Sequence, residues 1–157
     1  AVRRRIFQGL RYPVGKLYED TFIVADVYAR AKRVACLNTA LYDYRQRSTG
    51  IMLSTRKLRD YDAVEAAEAL IDRLLEMRLT DAVPASEKMM FTSLRNVYYH
   101  LPPEQRRDPR TKDAKRRHWA TLRKMRTHHC LPVKTAVRSA AFHLAPALCR
   151  RWWADCR

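Results

Sequence analysis

The feature that most constrains the fold is the apolar periodicity of the second part of the chain. After Ser54, apolar residues recur every three or four positions, which is the spacing of one face of an α-helix. The first such stretch runs to about Leu79 and contains these apolar residues: Leu58, Tyr61, Val64, Ala67, Leu70, Ile71, Leu74 and Leu75. The pattern predicts a long helix with Ser54 as its N-cap.

Three further helices are predicted after this one along the chain. The second spans about 84–99, and the third covers 111–127 and is strongly basic. The fourth begins after Pro132, and Pro146 is expected to kink or divide it. Residues 54–157 are therefore predicted to form a helical region of about four helices.

The first part of the chain has a different pattern. A helix is expected from Asp20 to about Lys32. Residues 33–37 and 40–46 are rich in apolar and aromatic residues and flank Asn38–Thr39, which predicts a β-hairpin. The predicted fold class is thus α+β and mostly α, with a small α/β piece over residues 1–53 followed by the helical region.

The charge of the chain is strongly positive. It contains 32 Lys and Arg against 16 Asp and Glu, a formal net charge of +16. Residues 104–157 hold fifteen of the basic residues and only four of the acidic ones. The positive electrostatic field of these residues favours an anionic partner, which could be phosphates, nucleic acid or an anionic membrane face. The alternative is a basic surface that is simply solvated.

The cysteine spacing and the lack of a long apolar run indicate where in the cell the protein is expected. Cys36, Cys130, Cys149 and Cys156 lack C-x-x-C spacing, which predicts reduced thiols in a cytoplasmic protein. Transmembrane helices need roughly 18 or more consecutive apolar residues, and no such run occurs. Because the chain starts at Ala1, we interpret it as a piece of a longer polypeptide.

The adjacent acids Glu19 and Asp20 are the first candidate for chemistry. A carboxylate at the entrance of a cleft can act as a general base toward an alcohol. The alternative is that Asp20 only caps the helix that follows, since Asp is generally favoured at helix N-termini. The residues themselves leave both roles open.

A second candidate is the Tyr/Arg cluster about twenty-five residues later. Arg45 and Arg47 would lie on one side of the predicted strand and could hold a diphosphate. Alternatively, they could blunt an exposed strand edge with charge. Tyr18, Tyr42 and Tyr44 could form a sugar-binding wall or belong to a half-buried core.

These motifs occur in a recognisable order. The chain has Phe-Gln-Gly-Leu-Arg-Tyr-Pro-Val-Gly at 7–15, Glu-Asp at 19–20, and Leu-Tyr-Asp-Tyr-Arg-Gln-Arg-Ser-Thr-Gly-Ile-Met at 41–52. This series resembles the later part of the catalytic domain of glycosyltransferase family 2. The resemblance spans about a third of the chain, from Phe7 to Met52.

The resemblance implies a function. Members of this family have a GT-A fold and transfer a sugar from a nucleotide-diphosphate donor to an acceptor hydroxyl with inversion. It implies that Asp20 is the catalytic base and that Glu19 positions it or binds the acceptor. It also implies that Tyr44, Arg45 and Arg47 lie beside the donor diphosphate or the acceptor. The acceptor would be a glycan or a lipid-linked glycan of cell-surface or exopolysaccharide synthesis.

The family also carries an Asp-x-Asp pair that holds a divalent metal, Mg or Mn, between the donor phosphates. Asp60-Tyr61-Asp62 has this spacing. In the predicted helix, however, its two carboxylates would point about 200° apart. We therefore expect no metal site in this chain. The nucleotide-binding half and its metal should belong to the intact enzyme, and the 157 residues alone should be inactive.

The C-terminal segment predicts a further contact. Val133, Val137, Leu144 and neighbouring apolar residues share one helical face, and Arg-Arg-Trp-Trp follows at 150–153. A basic, tryptophan-containing end is typical of an interfacial helix on an anionic membrane. This would allow a peripheral position on the inner face of the plasma membrane. The alternative is a helix that packs on the catalytic domain.

Two other classes of function remain open. The charge of residues 104–157 suits a nucleic-acid-binding module, although no DNA- or RNA-binding motif is recognisable. The chain could also be a non-catalytic interaction domain derived from a transferase. The sugar-transferase hypothesis is favoured because several ordered motifs support it.

Overall fold

The computed structural model describes residues 2–43, 45, 58–102, 104–127 and 133–144. Within these residues the chain is mostly helical. The α-helices are α1 (Glu19–Arg30), α2 (Asp62–Glu76), α3 (Val83–His100), α4 (Pro109–Thr127) and α5 (Val133–Leu144). Short 3₁₀ helices cover Arg4–Phe7, Leu58–Tyr61, Thr80–Ala82 and Gln105–Arg107.

The main core lies where α2, α3 and α4 meet. Its members are Tyr61, Val64, Leu94, Val97, Leu101 and Ala114. Leu94 and Val64 are fully buried, so this cluster is closed to water. A second cluster of Phe91, Leu122 and Met125 continues the contact between α3 and α4. Burial of these apolar side chains is the main force that holds the three helices together.

Helix α1 packs on α2 and is fixed there by an ion pair. Ala25 forms a small cluster with Leu74 and Val83. Beside it, the Arg73 guanidinium holds the carboxylate of Asp26 through Nε and Nη2, with an Nη2–Oδ1 distance of 2.7 Å. The contact is bidentate, which fixes the orientation of both side chains. The second half of α1 therefore has a defined position relative to α2.

Local hydrogen bonds mark the C-terminal end of α2 and the N-terminal end of α4. After α2, the N–H groups of Arg78 and Leu79 donate to the carbonyls of Leu75 and Leu74, which is a Schellman arrangement. Arg78 takes a φ of +59°, in the left-handed region that favours glycine. Asp108 precedes α4, and its Oδ1 accepts the Arg110 N–H at 2.9 Å.

Most of the predicted helices are present, with some changes of boundary. Helix α1 begins one residue before the predicted start and ends two residues early. The helix predicted over 54–79 is shorter, because α2 begins at Asp62 after a 3₁₀ turn. Positions 54–57 and Pro146 lie outside the described residues. The overall prediction of a mostly helical chain is confirmed.

The predicted β-hairpin is wrong for the residues that can be compared. Between Arg33 and Asp43 the described backbone forms no strand. The apolar side chains of this stretch are exposed, with Val34 at 60%, Leu37 at 71% and Leu41 at 72%. An isolated two-stranded hairpin is marginally stable in water, and no element of the described part covers these side chains. The alternating pattern therefore lacks the partner that would make it a sheet.

No helix in the described part of the chain combines the length and the apolar character needed to cross a membrane.

Candidate functional site

The loop that leads into α1 is attached to the first turn of α2. The residue Asp62 is only 7% exposed, and its Oδ2 accepts the Leu17 N–H at 2.9 Å. Lys16 Nζ lies 3.2 Å from Asp62 Oδ1 and also pairs with Glu65. Hydrogen bonds to Glu65 and then Asp62 raise the pKa of the Lys16 ammonium above its usual 10.5. The loop is thus held by contacts that span more than forty residues of sequence.

Tyr18 stands at the N-terminal boundary of α1 in a left-handed conformation. Its φ and ψ are +60° and +34°. A bulky residue in this region is uncommon, and such backbone strain tends to cluster at functional sites. The surrounding contacts of Lys16 and Leu17 hold the strained residue in place.

Tyr18 lines a cleft of about 470 Å³ between the loop, the start of α2 and α3. The polar lining residues are Tyr18, Asp60, Lys88, Thr92, Ser93 and Asn96. Lys88, Thr92 and Asn96 are spaced four residues apart on α3, so they follow one face of the helix. The other lining residues are Ala63, Ala85, Met89 and Val97. The cleft therefore offers an aromatic ring and hydrogen-bonding groups beside apolar surface, a combination that can hold the ring and the hydroxyl groups of a sugar.

Glu19 and Asp20 form the first turn of α1, immediately after Tyr18, and both are exposed. Asp20 Oδ1 accepts the Thr21 N–H at 2.8 Å and lies 3.4 Å from the Thr21 hydroxyl. Both contacts fall on Oδ1, so Oδ2 takes part in neither. The N-cap residue of α1 is Tyr18, and no side chain caps the helix there. The contacts of Asp20 are with the adjacent residue and hold its carboxylate by one oxygen only.

The predicted Tyr/Arg cluster is only partly described. Arg45 is exposed and is not among the residues that line the cleft. Tyr44 and Arg47 lie outside the described residues. Glu19 and Asp20 directly follow Tyr18 in the chain, but neither of them is among the residues that line the cleft. The roles of Glu19 and Asp20 therefore stay predictions, as do those of Tyr44, Arg45 and Arg47.

Sequence reasoning did not identify Asp60 and Asp62 as parts of this site. Asp62 holds the loop, and Asp60 lines the cleft. The polar row on α3 was also missed, although its four-residue spacing is visible in the sequence. The attachment of Leu17 to Asp62 has no such signal, because it depends on how two distant segments pack.

The structure also gives a reason why Asp60 and Asp62 do not fit a metal-binding pair. Asp62 is committed to the Leu17 N–H and to Lys16. The two residues lie on either side of the junction between the 3₁₀ turn and α2. Within the described ranges, no three His, Cys, Asp or Glu side chains come together in a way that could hold a metal ion.

No protein-family model, curated protein or solved structure matches the chain.

Proposed function

We propose that this chain is the acceptor-side part of an inverting glycosyltransferase that resembles family 2. In this proposal, Asp20 is the base that removes the proton of the acceptor hydroxyl. Glu19 positions Asp20 or binds the acceptor, and the acceptor sugar lies in the cleft against Tyr18. A longer polypeptide or a partner supplies the nucleotide-binding half and its divalent metal.

The observation that carries the proposal is the junction of the loop and α1. The Glu-Asp motif directly follows a strained tyrosine that lines a cleft with both polar and apolar walls. Asp62 and Lys16 hold this junction in place. The sequence motifs before and after it occur in the order typical of the transferase family.

The chemistry follows from general base catalysis. As the acceptor hydroxyl attacks the anomeric carbon, its proton passes to the Asp20 carboxylate and the bond to the donor diphosphate breaks. Arg45 and Arg47 would stabilise the negative charge on the leaving diphosphate. A divalent metal in the donor half would add positive charge to the same phosphates.

Exposed apolar residues support the idea of a longer catalytic unit. Val34, Leu37 and Leu41 are each more than half exposed, and Val14 is fully exposed. Val34, Leu37 and Leu41 lie within eight residues of one another in the chain, and an exposed apolar patch commonly marks an interaction surface. In the proposal, the nucleotide-binding half covers this segment.

The proposed location is the cytoplasm, with the protein peripheral on the inner face of the plasma membrane. There a lipid-linked or nascent surface glycan would be within reach. The exposed apolar positions Val133, Val137 and Leu144 on α5 are compatible with an interfacial role for the C-terminal segment.

The test compares the 157-residue chain with the native polypeptide that contains it. Both are assayed with a panel of nucleotide sugars and glycan acceptors, and the intact mass of the native polypeptide is measured. The proposal predicts turnover by the native polypeptide, none by the isolated chain, and a native mass of about twice 18.5 kDa. Turnover by the isolated chain would show that no donor half is needed. A native mass near 18.5 kDa, with no partner subunit, would remove the enzyme hypothesis.

A further inference from the structure

One exposed face of α4 carries an almost continuous row of basic side chains around a tryptophan. The residues of this basic stripe are Lys112, Arg116, Trp119, Arg123 and Arg126, and all of them are exposed. At about 100° and 1.5 Å per residue, they span about 80° of the helix circumference and about 21 Å of its length. Such a row can contact a flat partner along its whole length.

The opposite side of α4 is the side that packs on the protein. Thr111, Ala114, His118, Thr121 and Met125 are buried there. The basic stripe therefore faces solvent, on the side of α4 opposite to the one that packs on the protein. Its position is fixed because the helix behind it is held by the core.

Two other arginines of α4 make contacts within the protein. Arg117 points toward α2, where Nη1 donates to Tyr61 Oη at 2.5 Å and Nη2 pairs with Glu68 at 2.7 Å. Arg110 pairs with Asp108, which precedes the helix. These two arginines serve the fold, and the stripe lies on another face.

Within the stripe, Arg116 pairs with Asp113 at 2.7 Å. An exposed ion pair of this kind contributes little and exchanges readily with another anion. Trp119 is 40% exposed between Arg116 and Arg123. A tryptophan flanked by Arg and Lys is the arrangement that places an indole at the level of lipid headgroups while the cations bind phosphates.

We propose that the basic stripe of α4 docks on an anionic lipid surface, with Trp119 in the headgroup layer and Lys112, Arg123 and Arg126 on lipid phosphates. The net charge of +16 would draw the protein to such a surface. This contact is separate from sugar transfer and from the C-terminal Arg-Arg-Trp-Trp segment.

A lipid surface fits the stripe better than a nucleic acid does. Proteins that bind single strands use several aromatic side chains on which successive bases stack, and the stripe offers one. A flat anionic plane, in contrast, can contact all five residues of a straight row together.

The test is co-sedimentation of the full chain with phosphatidylcholine vesicles that contain or lack phosphatidylglycerol. The stripe variant carries Lys112→Gln, Arg123→Gln and Arg126→Gln. The control variant carries Arg3→Gln, Lys32→Gln and Arg33→Gln, three exposed positions away from α4. Both lose three positive charges, so the comparison separates the stripe from the net charge. Circular dichroism and urea unfolding verify that both variants are folded.

At physiological salt, wild-type protein and control variant should bind the anionic vesicles similarly. The stripe variant should bind on the order of 100-fold more weakly, since each basic residue near the surface contributes about fivefold. The blue shift of tryptophan fluorescence on binding should also shrink in Trp119→Phe.

Three results would overturn the proposal. Equal losses in the stripe and control variants would indicate net charge alone. Undiminished binding by the stripe variant would assign the membrane contact to the C-terminal segment. Binding of a single-stranded oligonucleotide through the stripe, with no binding to anionic vesicles, would assign the surface to nucleic acid.

Discussion

Replacing Asp62 by alanine should release the loop that leads into α1. The buried carboxylate of Asp62 accepts the Leu17 N–H at 2.9 Å, and its removal leaves that donor without this acceptor. A hydrogen bond to a charged group contributes about 1.5–3 kcal/mol. The partner Lys16 is partly exposed, so its ion pair adds little. We expect the free energy of unfolding to fall by about 2 kcal/mol, mainly through the lost contact with Leu17.

Two measurements follow the effect of Asp62→Ala. With a urea dependence of about 2 kcal/mol per molar, the midpoint of unfolding should fall by about 1 M. Trypsin should also cut faster after Lys16, because cleavage requires the loop to open locally. Mass spectrometry of the fragments identifies this cut among the many basic sites.

The matched controls are Asp72→Ala and Asp62→Asn. Asp72 is exposed on the same helix, and its replacement should change stability by at most about 0.5 kcal/mol. Asparagine at position 62 keeps an oxygen that can accept the Leu17 N–H, so it should retain part of the stability. The reasoning is refuted if Asp62→Ala unfolds at the wild-type urea concentration and trypsin cuts after Lys16 no faster.

The remaining predictions concern the core, a helix end and pH. Leu94→Ala should leave a cavity among α2, α3 and α4 and lower the free energy of unfolding, measured with urea, by about 3 kcal/mol. A loss below about 1 kcal/mol would contradict the packing described for this core. Arg78→Gly should raise stability by about 0.5–1 kcal/mol, because glycine adopts the positive φ without strain; a thermal unfolding curve shifted downward would show the opposite. The hydrogen bond from Arg110 lowers the pKa of Asp108 below its usual 3.8. The stability from Asp108 is thus present above pH 3.8 and lost as pH falls through the lower folded pKa, so Asp108→Asn should flatten the acid limb of a stability–pH profile. An unchanged acid limb would argue against this cap.

The helices are predictable because their signal is local. Apolar residues at helical spacing are sufficient to predict α2 to α5 from the sequence, and Pro132 marks the region where α5 begins. The true start of α2 at Asp62 is less predictable, because a 3₁₀ turn continues the same apolar spacing and differs from α-helix only in its hydrogen bonds. Helix boundaries therefore carry more error than helix identity.

The β-hairpin prediction was wrong because the formation of strands depends on contacts that are not local. Alternating apolar residues in 33–43 indicate that a strand is compatible with the sequence, but a strand forms only where a neighbour pairs with it and a packed face covers it. Neither is present among the described residues around Val34 and Leu37.

The candidate site is predictable only in part. The Glu19–Asp20 motif is visible as a sequence pattern, and its place in the first turn of α1 follows from the helix prediction. The anchoring of Leu17 by Asp62 and the alignment of Tyr18 with α3 depend on tertiary packing. A pattern in a single segment contains no information on such long-range contacts, which is why the cleft was not foreseen.

The most direct test of the account is the rate of sugar transfer by the native polypeptide that carries Asp20→Asn. Asparagine keeps the shape of the side chain and can still accept the Thr21 N–H, but it cannot take the proton of the acceptor. We predict that kcat falls by about 10²–10⁴ with donor affinity unchanged, while Asp72→Asn leaves the rate intact. An unchanged rate in Asp20→Asn would contradict the account and leave Asp20 as a helix cap.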